Sequence, residues 1–164
     1  MNELNFEILE ITNADKELVS DFITENWGSP FSVSKGKMHD VANLSGFICK
    51  QDDKITGLVT YHIENDECEI VTLDSKINNK GLGSQLIQKV VEVAKENLCN
   101  RVWLITTNDN IHAIRFYQKR GFDWINFHRD AMDESRKLKK EIPKLGNEDI
   151  PIRHEIEFEY RLFY

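Results

Sequence analysis

The residues best suited to chemistry fall in two segments. In the first, Leu73-Asp74-Ser75-Lys76-Ile77-Asn78-Asn79-Lys80-Gly81-Leu82-Gly83-Ser84-Gln85-Leu86, a strand passes through a short polar loop into a Gly-x-Gly that opens a long helix. The first N–H groups of a helix lack partners and carry the positive end of its dipole, so this start favours a phosphate. Two glycines let the backbone come close to it. Better-known phosphate loops are disfavoured: a dinucleotide fingerprint needs a third glycine where Leu86 stands, and a P-loop needs Gly-Lys-Ser/Thr. The second segment is Asn108-Asp109-Asn110-Ile111-His112-Ala113-Ile114-Arg115-Phe116-Tyr117-Gln118-Lys119-Arg120-Gly121-Phe122. Taken alone, Asn110 reads as a helix N-cap and Tyr117 as an aromatic packed on a sheet. Upstream, Glu67 and Glu69 sit two apart, so an unbroken strand aims both at one face. They read either as solvated strand charges or as candidates for taking a proton.

The elements that must position these groups follow from periodicity. Residues 5–11 alternate apolar and polar as a half-buried strand. Asn13 or Asp15 caps a helix whose face is Leu18, Val19, Phe22, Ile23 and Trp27, stopped by Gly28-Ser29-Pro30. Residues 31–44 show weak periodicity and read as a loop with a short helical turn. Strands at 47–49, 55–63 and 69–73, separated by Gln51-Asp52-Asp53-Lys54 and Glu64-Asn65-Asp66, form an antiparallel meander. Leu82, Leu86, Val90, Val93 and Leu98 then recur at helical spacing, predicting a helix over 81–97. A buried strand at 101–106, a helix at 111–120 closed by Gly121, and a strand at 122–127 come next. Residues 129–141 read as a helix with acids early and bases late, and 152–163 as the last strand. This order describes one α/β (α+β) domain spanning residues 1–164, with a single core and no linker. Trp103 and Trp124 are expected to fill that core, and His39-Asp40 to be ordinary loop chemistry.

Composition excludes several classes. The 164 residues carry 21 Lys plus Arg against 28 Asp plus Glu, a net charge of −7. That balance argues against a nucleic-acid partner and mildly favours a cationic substrate, beside the plain alternative of a solvated acidic surface. Cys49, Cys68 and Cys99 are unclustered and the five histidines are scattered, so no metal site and no disulfide framework is expected. No apolar run approaches the ~18 residues of a membrane span, and Met1-Asn2-Glu3-Leu4-Asn5 lacks a leader's basic start and apolar core. A cytoplasmic chain without a membrane partner is the expectation.

Together and in this order, the two glycine- and tyrosine-bearing segments resemble the GNAT superfamily of N-acetyltransferases, in its small bacterial form. The family pattern is Gln/Arg-x-x-Gly-x-Gly/Ala followed, one strand later, by Asn-x-x-Ala-x-x-x-Tyr-x-x-x-Gly-Phe. Gly81 and Gly83 match the first part, and Asn110, Ala113, Tyr117, Gly121 and Phe122 match the second in register. Asn78 departs from the usual Gln or Arg. Element order extends the resemblance over residues 1–127 and the final strand.

The resemblance implies the GNAT acyl-CoA N-acyltransferase fold. Its mixed, mostly antiparallel sheet is splayed between the fourth and fifth strands and flanked by helices, here with an extra helix before the last strand. It implies acetyl-CoA as co-substrate and no metal. The pantetheine arm would pair with Val71, Thr72 and Leu73, and the pyrophosphate would rest on Asn78, Asn79, Lys80, Gly81, Leu82, Gly83 and Ser84. Asn110, Ala113, Phe116 and Tyr117 would complete the cofactor side. Tyr117 would protonate the leaving thiolate. Glu69, in the register of the glutamate of diamine acetyltransferases, is preferred as base over Glu67, which matches that of histone acetyltransferases. The acceptor would be a small-molecule or protein amine, walled by residues 31–44 and by an insertion at 128–151 with His128, Arg129 and Arg136 as candidate contacts. A surface helix, or a homodimer contact through it or the final strand, is the alternative use of that insertion. A non-catalytic acyl-CoA-binding module, or transfer of another acyl group or to oxygen, are the alternative functions.

Overall fold

A computed structural model describes residues 5–77 and 80–163 of the chain. The chain order is β1 (Leu9–Glu10), α1 (Lys16–Trp27), β2 (Phe31–Ser34), β3 (Lys37–Asp40), β4 (Ser45–Gln51), β5 (Lys54–Glu64) and β6 (Glu67–Ser75). It continues with α2 (Leu82–Glu96), β7 (Arg101–Thr107), α3 (Ile111–Lys119), β8 (Asp123–His128), α4 (Ala131–Leu138) and β9 (Glu155–Arg161). Seven strands form one sheet in the order β1-β4-β5-β6-β7-β9-β8. Every pairing is antiparallel except β6 with β7.

The meander forms where the turn residues tolerate a left-handed backbone. Asp52 and Asp53, then Asn65 and Asp66, all hold φ between 51° and 61°, the geometry of tight hairpin turns. On one face, α2 buries Leu82, Leu86, Ile87, Val90, Val91 and Ala94 against Val59, Cys68, Ile70, Val102, Leu104 and Phe158. On the other face, α1 packs Val19, Phe22 and Ile23 on Ile48, Ile55 and Leu58. Gly57 lets α2 settle close, since a Cβ there would lie 2.7 Å from Leu82.

Two irregularities position the site. First, β6 pairs with β7 only from Glu67↔Arg101 to Ile70↔Leu104, and then the strands part. Second, Tyr61 pairs with Ile70 while Thr60 pairs with Thr72, so Val71 is an extra residue in β6. Such a bulge leaves the inserted residue outside the ladder and bends its strand.

Several expectations need correction. Residues 31–44 are not a plain loop: β2 and β3 form a separate two-stranded sheet, turning at Lys35 (φ 48°) and Gly36 (φ 74°). Four-residue strands of mixed polarity carry too little alternation to register as strands. Strand β1 is shorter than the alternating stretch 5–11, although Phe6 and Ile8 still pack on the core. Trp124 is 49% exposed because it sits on the edge strand β8, leaning on Phe158. Trp103 is half-buried outside the core, on the face of β7 away from α2.

Candidate active site

Where β6 and β7 part, a cavity of about 320 Å³ opens. Its walls include Leu73, Gly81, Leu82, Gly83, Ser84, Asn110, Ala113, Phe116 and Tyr117, all singled out from sequence. Asp74, Ser75, Ile77, His112 and Arg120 also line it and were not anticipated. Asn78 and Asn79 lie outside the described residues. Lys80 is exposed and not part of the wall. Thr72 turns away, its hydroxyl 2.7 Å from that of Thr60 in the interior, and Val71 occupies the bulge.

The helix mouth is built as its glycines require. Gly81 caps α2 at φ 86°, a conformation costly for any residue with a Cβ. A Cβ on Gly83 would come within 3.0 Å of the Phe116 ring, which fixes how closely α2 and α3 approach. Arg120 ties the same two helices: its Nε donates to Ser84 Oγ at 2.9 Å, and its guanidinium lies 3.7 Å over Phe116. It brings a cation beside the unpaired amides of α2. In the sequence it stands only as the last residue before a helix-ending glycine, and no local pattern links it to Ser84.

Asn110 caps α3, its Oδ1 accepting from the Ala113 amide at 3.1 Å. That aims Tyr117, two turns on, into the aromatic cluster of Phe116, Phe122 and Phe158. Tyr117 is 8% exposed yet lines the cavity. Burial raises its phenol above the ordinary range, and the nearby Asp74 charge adds to this. Asp74 is itself raised by burial, against a hydrogen bond from Trp27 Nε1 at 3.3 Å.

Glu67 and Glu69 point the other way, into a second cavity of about 200 Å³ that also takes in Ser34, Lys35, His62 and Trp103. Their surroundings differ. Glu67 is held by Arg101 Nε at 3.1 Å. Glu69 is 4% exposed; Ser34 Oγ donates to its Oε1, and His39 Nε2 lies 3.3 Å from its Oε2. His39 is therefore not ordinary loop chemistry: the β2–β3 hairpin carries it inside, to 5% exposure, away from Asp40. Its partner lies 30 residues along the chain, with no local signal to announce it.

The same sheet face carries the acids of β9. Burial pushes Glu157 up, but hydrogen bonds from Arg101, His128 and Lys35 outweigh it and hold the carboxyl at about 2. Among the described residues Glu155 receives only the Lys35 amide, at 3.3 Å, and burial leaves it raised. Lys35 Nζ lies 3.1 Å from Glu157 and 4.9 Å over Trp103.

The insertion meets this hairpin. Lys139 Nζ donates to Trp27 O at 3.1 Å and Phe31 O at 3.0 Å. Arg136 is a strap rather than an acceptor contact, its NH2 group donating to Pro143 O at 2.8 Å and Ile152 O at 2.6 Å. His128 is taken by Glu157 at 2.9 Å, and Arg129 is exposed beside Asp130.

Residues 8–122 match the model of the Acetyltransferase (GNAT) family. The chain belongs to the GNAT family. It is 43% identical over 150 residues to the uncharacterized protein YxbD of Bacillus subtilis, covering 91% of this chain and 94% of that one. An acetyltransferase of B. subtilis solved with CoA superposes at a TM-score of 0.69, with 19% identity over 97% of this chain and 100% of that one. A GNAT acetyltransferase of Elizabethkingia anophelis with acetyl-CoA bound gives 0.65, with 19% identity over 96% of this chain and 99% of that one. At these identities the likeness to solved structures is one of fold. Family membership makes the protein an acyltransferase of the acetyl-transferring kind.

Proposed function

We propose that this GNAT protein moves the acetyl group of acetyl-CoA to a primary amine by direct attack. The observation that carries the reading is the fork between β6 and β7, flanked by a glycine-built helix mouth and by the Tyr117 phenol. The open edge of β6 beyond Ile70 suits an extended amide-bearing arm that pairs as an added strand. The amides opening α2, with Arg120 beside them, suit a pyrophosphate. Asn110 keeps its amide NH2 group for the same arm while its oxygen caps α3.

Each residue's task follows from the reaction. An alkyl ammonium has a pKa of about 10.4, so at neutral pH a proton must leave before nitrogen attacks. Glu69, on the sheet face opposite Tyr117, takes that proton. The backbone at Val71, freed from the ladder by the bulge, offers a donor to the oxygen that gains charge. Tyr117 donates its proton to the departing sulfur and is restored by the second proton that the acylated nitrogen loses, and burial keeps the phenol protonated until the transfer. The second cavity carries Glu64, Glu67 and Glu69 against Lys35 and Lys37, an acidic balance that supports an acceptor arriving as a cation.

Tyr117→Phe tests the reading. It is expected to lower kcat at least tenfold in a thiol-release assay over an amine panel, with acetyl-CoA affinity by calorimetry unchanged. An unaltered kcat removes Tyr117 from the mechanism. Tight acetyl-CoA binding without thiol release from any amine would favour a binding module instead.

A further inference from the structure

We infer that His39 is a relay residue: it accepts from Glu69 the proton taken off the acceptor amine and hands it, by way of His62, to solvent. The inference rests on the reading of Glu69 as base. At neutral pH an ammonium and a thioester give an amide, a thiol and one free proton, so each turnover must export one. The nitrogen of the acceptor loses it, Glu69 gains it as an O–H, and that bond must break again before the next turnover. Glu69 is 4% exposed, and one of its oxygens is occupied by the Ser34 hydroxyl. Its direct route to water is the second cavity, which the acceptor itself fills during a turnover.

The second oxygen faces His39. Nε2 of this 5% exposed imidazole makes no hydrogen bond among the described residues, yet it lies 3.3 Å from Glu69 Oε2. A buried polar atom left without a hydrogen bond calls for an explanation, and a proton-accepting role supplies one. The His39 ring lies 5.5 Å from that of His62, centroid to centroid, tilted by 57°, so His62 is the neighbouring imidazole on the way out. The His62 side chain is 36% exposed and lines the second cavity. The groups facing the pair are Glu69 from β6, Glu64 from β5, Lys37 from β3, and Glu155 from β9, whose charge reaches Glu69. Lys37 Nζ at 3.4 Å and Glu64 Oε2 at 3.5 Å both lie against His62 Nε2, at the exposed end of the path.

The test is the pH profile of kcat with a saturating primary amine, 1,4-diaminobutane first, for the wild type, His39→Gln, His62→Gln and Glu69→Gln. His39→Gln is expected to lose at least tenfold in kcat near neutrality, with the loss shrinking as pH rises and hydroxide takes over, while KM for acetyl-CoA stays put. His62→Gln, at the exposed end, is expected to show the same pH-dependent loss at about threefold, and it decides the matter if His39→Gln does not fold. A loss equal at all pH values, or an unchanged profile, overturns the relay. Should Glu69→Gln keep wild-type activity, the base assignment falls instead. Independently of any acceptor, an NMR titration must show His39 changing protonation state between about pH 5 and 8; an imidazole fixed in one state overturns the proposal.

Discussion

The cavities on the two sides of β6 are built by different means. The one at the fork is a construction of backbone and local motif: a left-handed glycine, a helix mouth, a capped second helix and an aromatic cluster. The one under the β2–β3 hairpin is a construction of side chains meeting across long sequence distances. Ser34 reaches Glu69, the Lys35 amide reaches Glu155, and Arg101 gathers Glu67, Glu157 and Glu159. The first is suited to holding one invariant ligand by its phosphates and amides. The second is a charged surface assembled from side chains of five separate segments, so its character changes with each substitution.

That contrast can be broken by substitution. The largest effect is expected on the side-chain half. Arg101→Met leaves Glu157, 3% exposed, without its closest cation and should cost about 3–5 kcal/mol in urea unfolding. A loss under about 1 kcal/mol would show the acidic face to be far more solvated than its burial implies. On the backbone half, Gly83→Val should leave stability within about 1–2 kcal/mol, because the clashing atom is the movable tip of Phe116. It should weaken acetyl-CoA at least tenfold by calorimetry, through displacement of the helix mouth.

The smallest effect is a pH dependence of the acidic face. Glu157 has its pKa lowered from 4.5 to about 2. Its stabilisation is therefore complete above the unfolded value near 4.5 and is lost as pH falls through the folded value near 2. Glu155 has the opposite sign: raised by burial, it costs stability once ionised, above its ordinary value. Acid unfolding of Glu157→Gln should lack the steep limb between about 4.5 and 2. Glu155→Gln should raise Tm at neutral pH.

The same division explains what could be read from sequence. Helices α2 and α3 and the β4–β5–β6 meander follow from periodicity and turn residues, whereas the fork is expected only from the family resemblance that the two motifs carry. Gly81, Gly83, Asn110 and Tyr117 announce themselves because their roles are local, set by φ, cap or helix spacing. His39 does not. Its environment is decided by a hairpin of short strands turning at Lys35 and Gly36, and by a carboxylate from another strand. Arg136 and Trp124 misled for the same reason: whether a long side chain braces a loop, or an indole lies at a sheet edge, depends on contacts outside any local window.

The four rungs joining β6 to β7 are the only ladder between the N-terminal and C-terminal portions of the main sheet, among the described residues. They form a hinge of short lever, so the width of the slot beyond it is set by how firmly those few main-chain bonds hold. Breathing there loosens the slot and Glu69, the proposed base, together, because Glu69 stands on the hinge itself. Deuterium uptake by the Cys68 to Ile70 amides would thus report, in one measurement, how tightly the two halves of the machine are clasped.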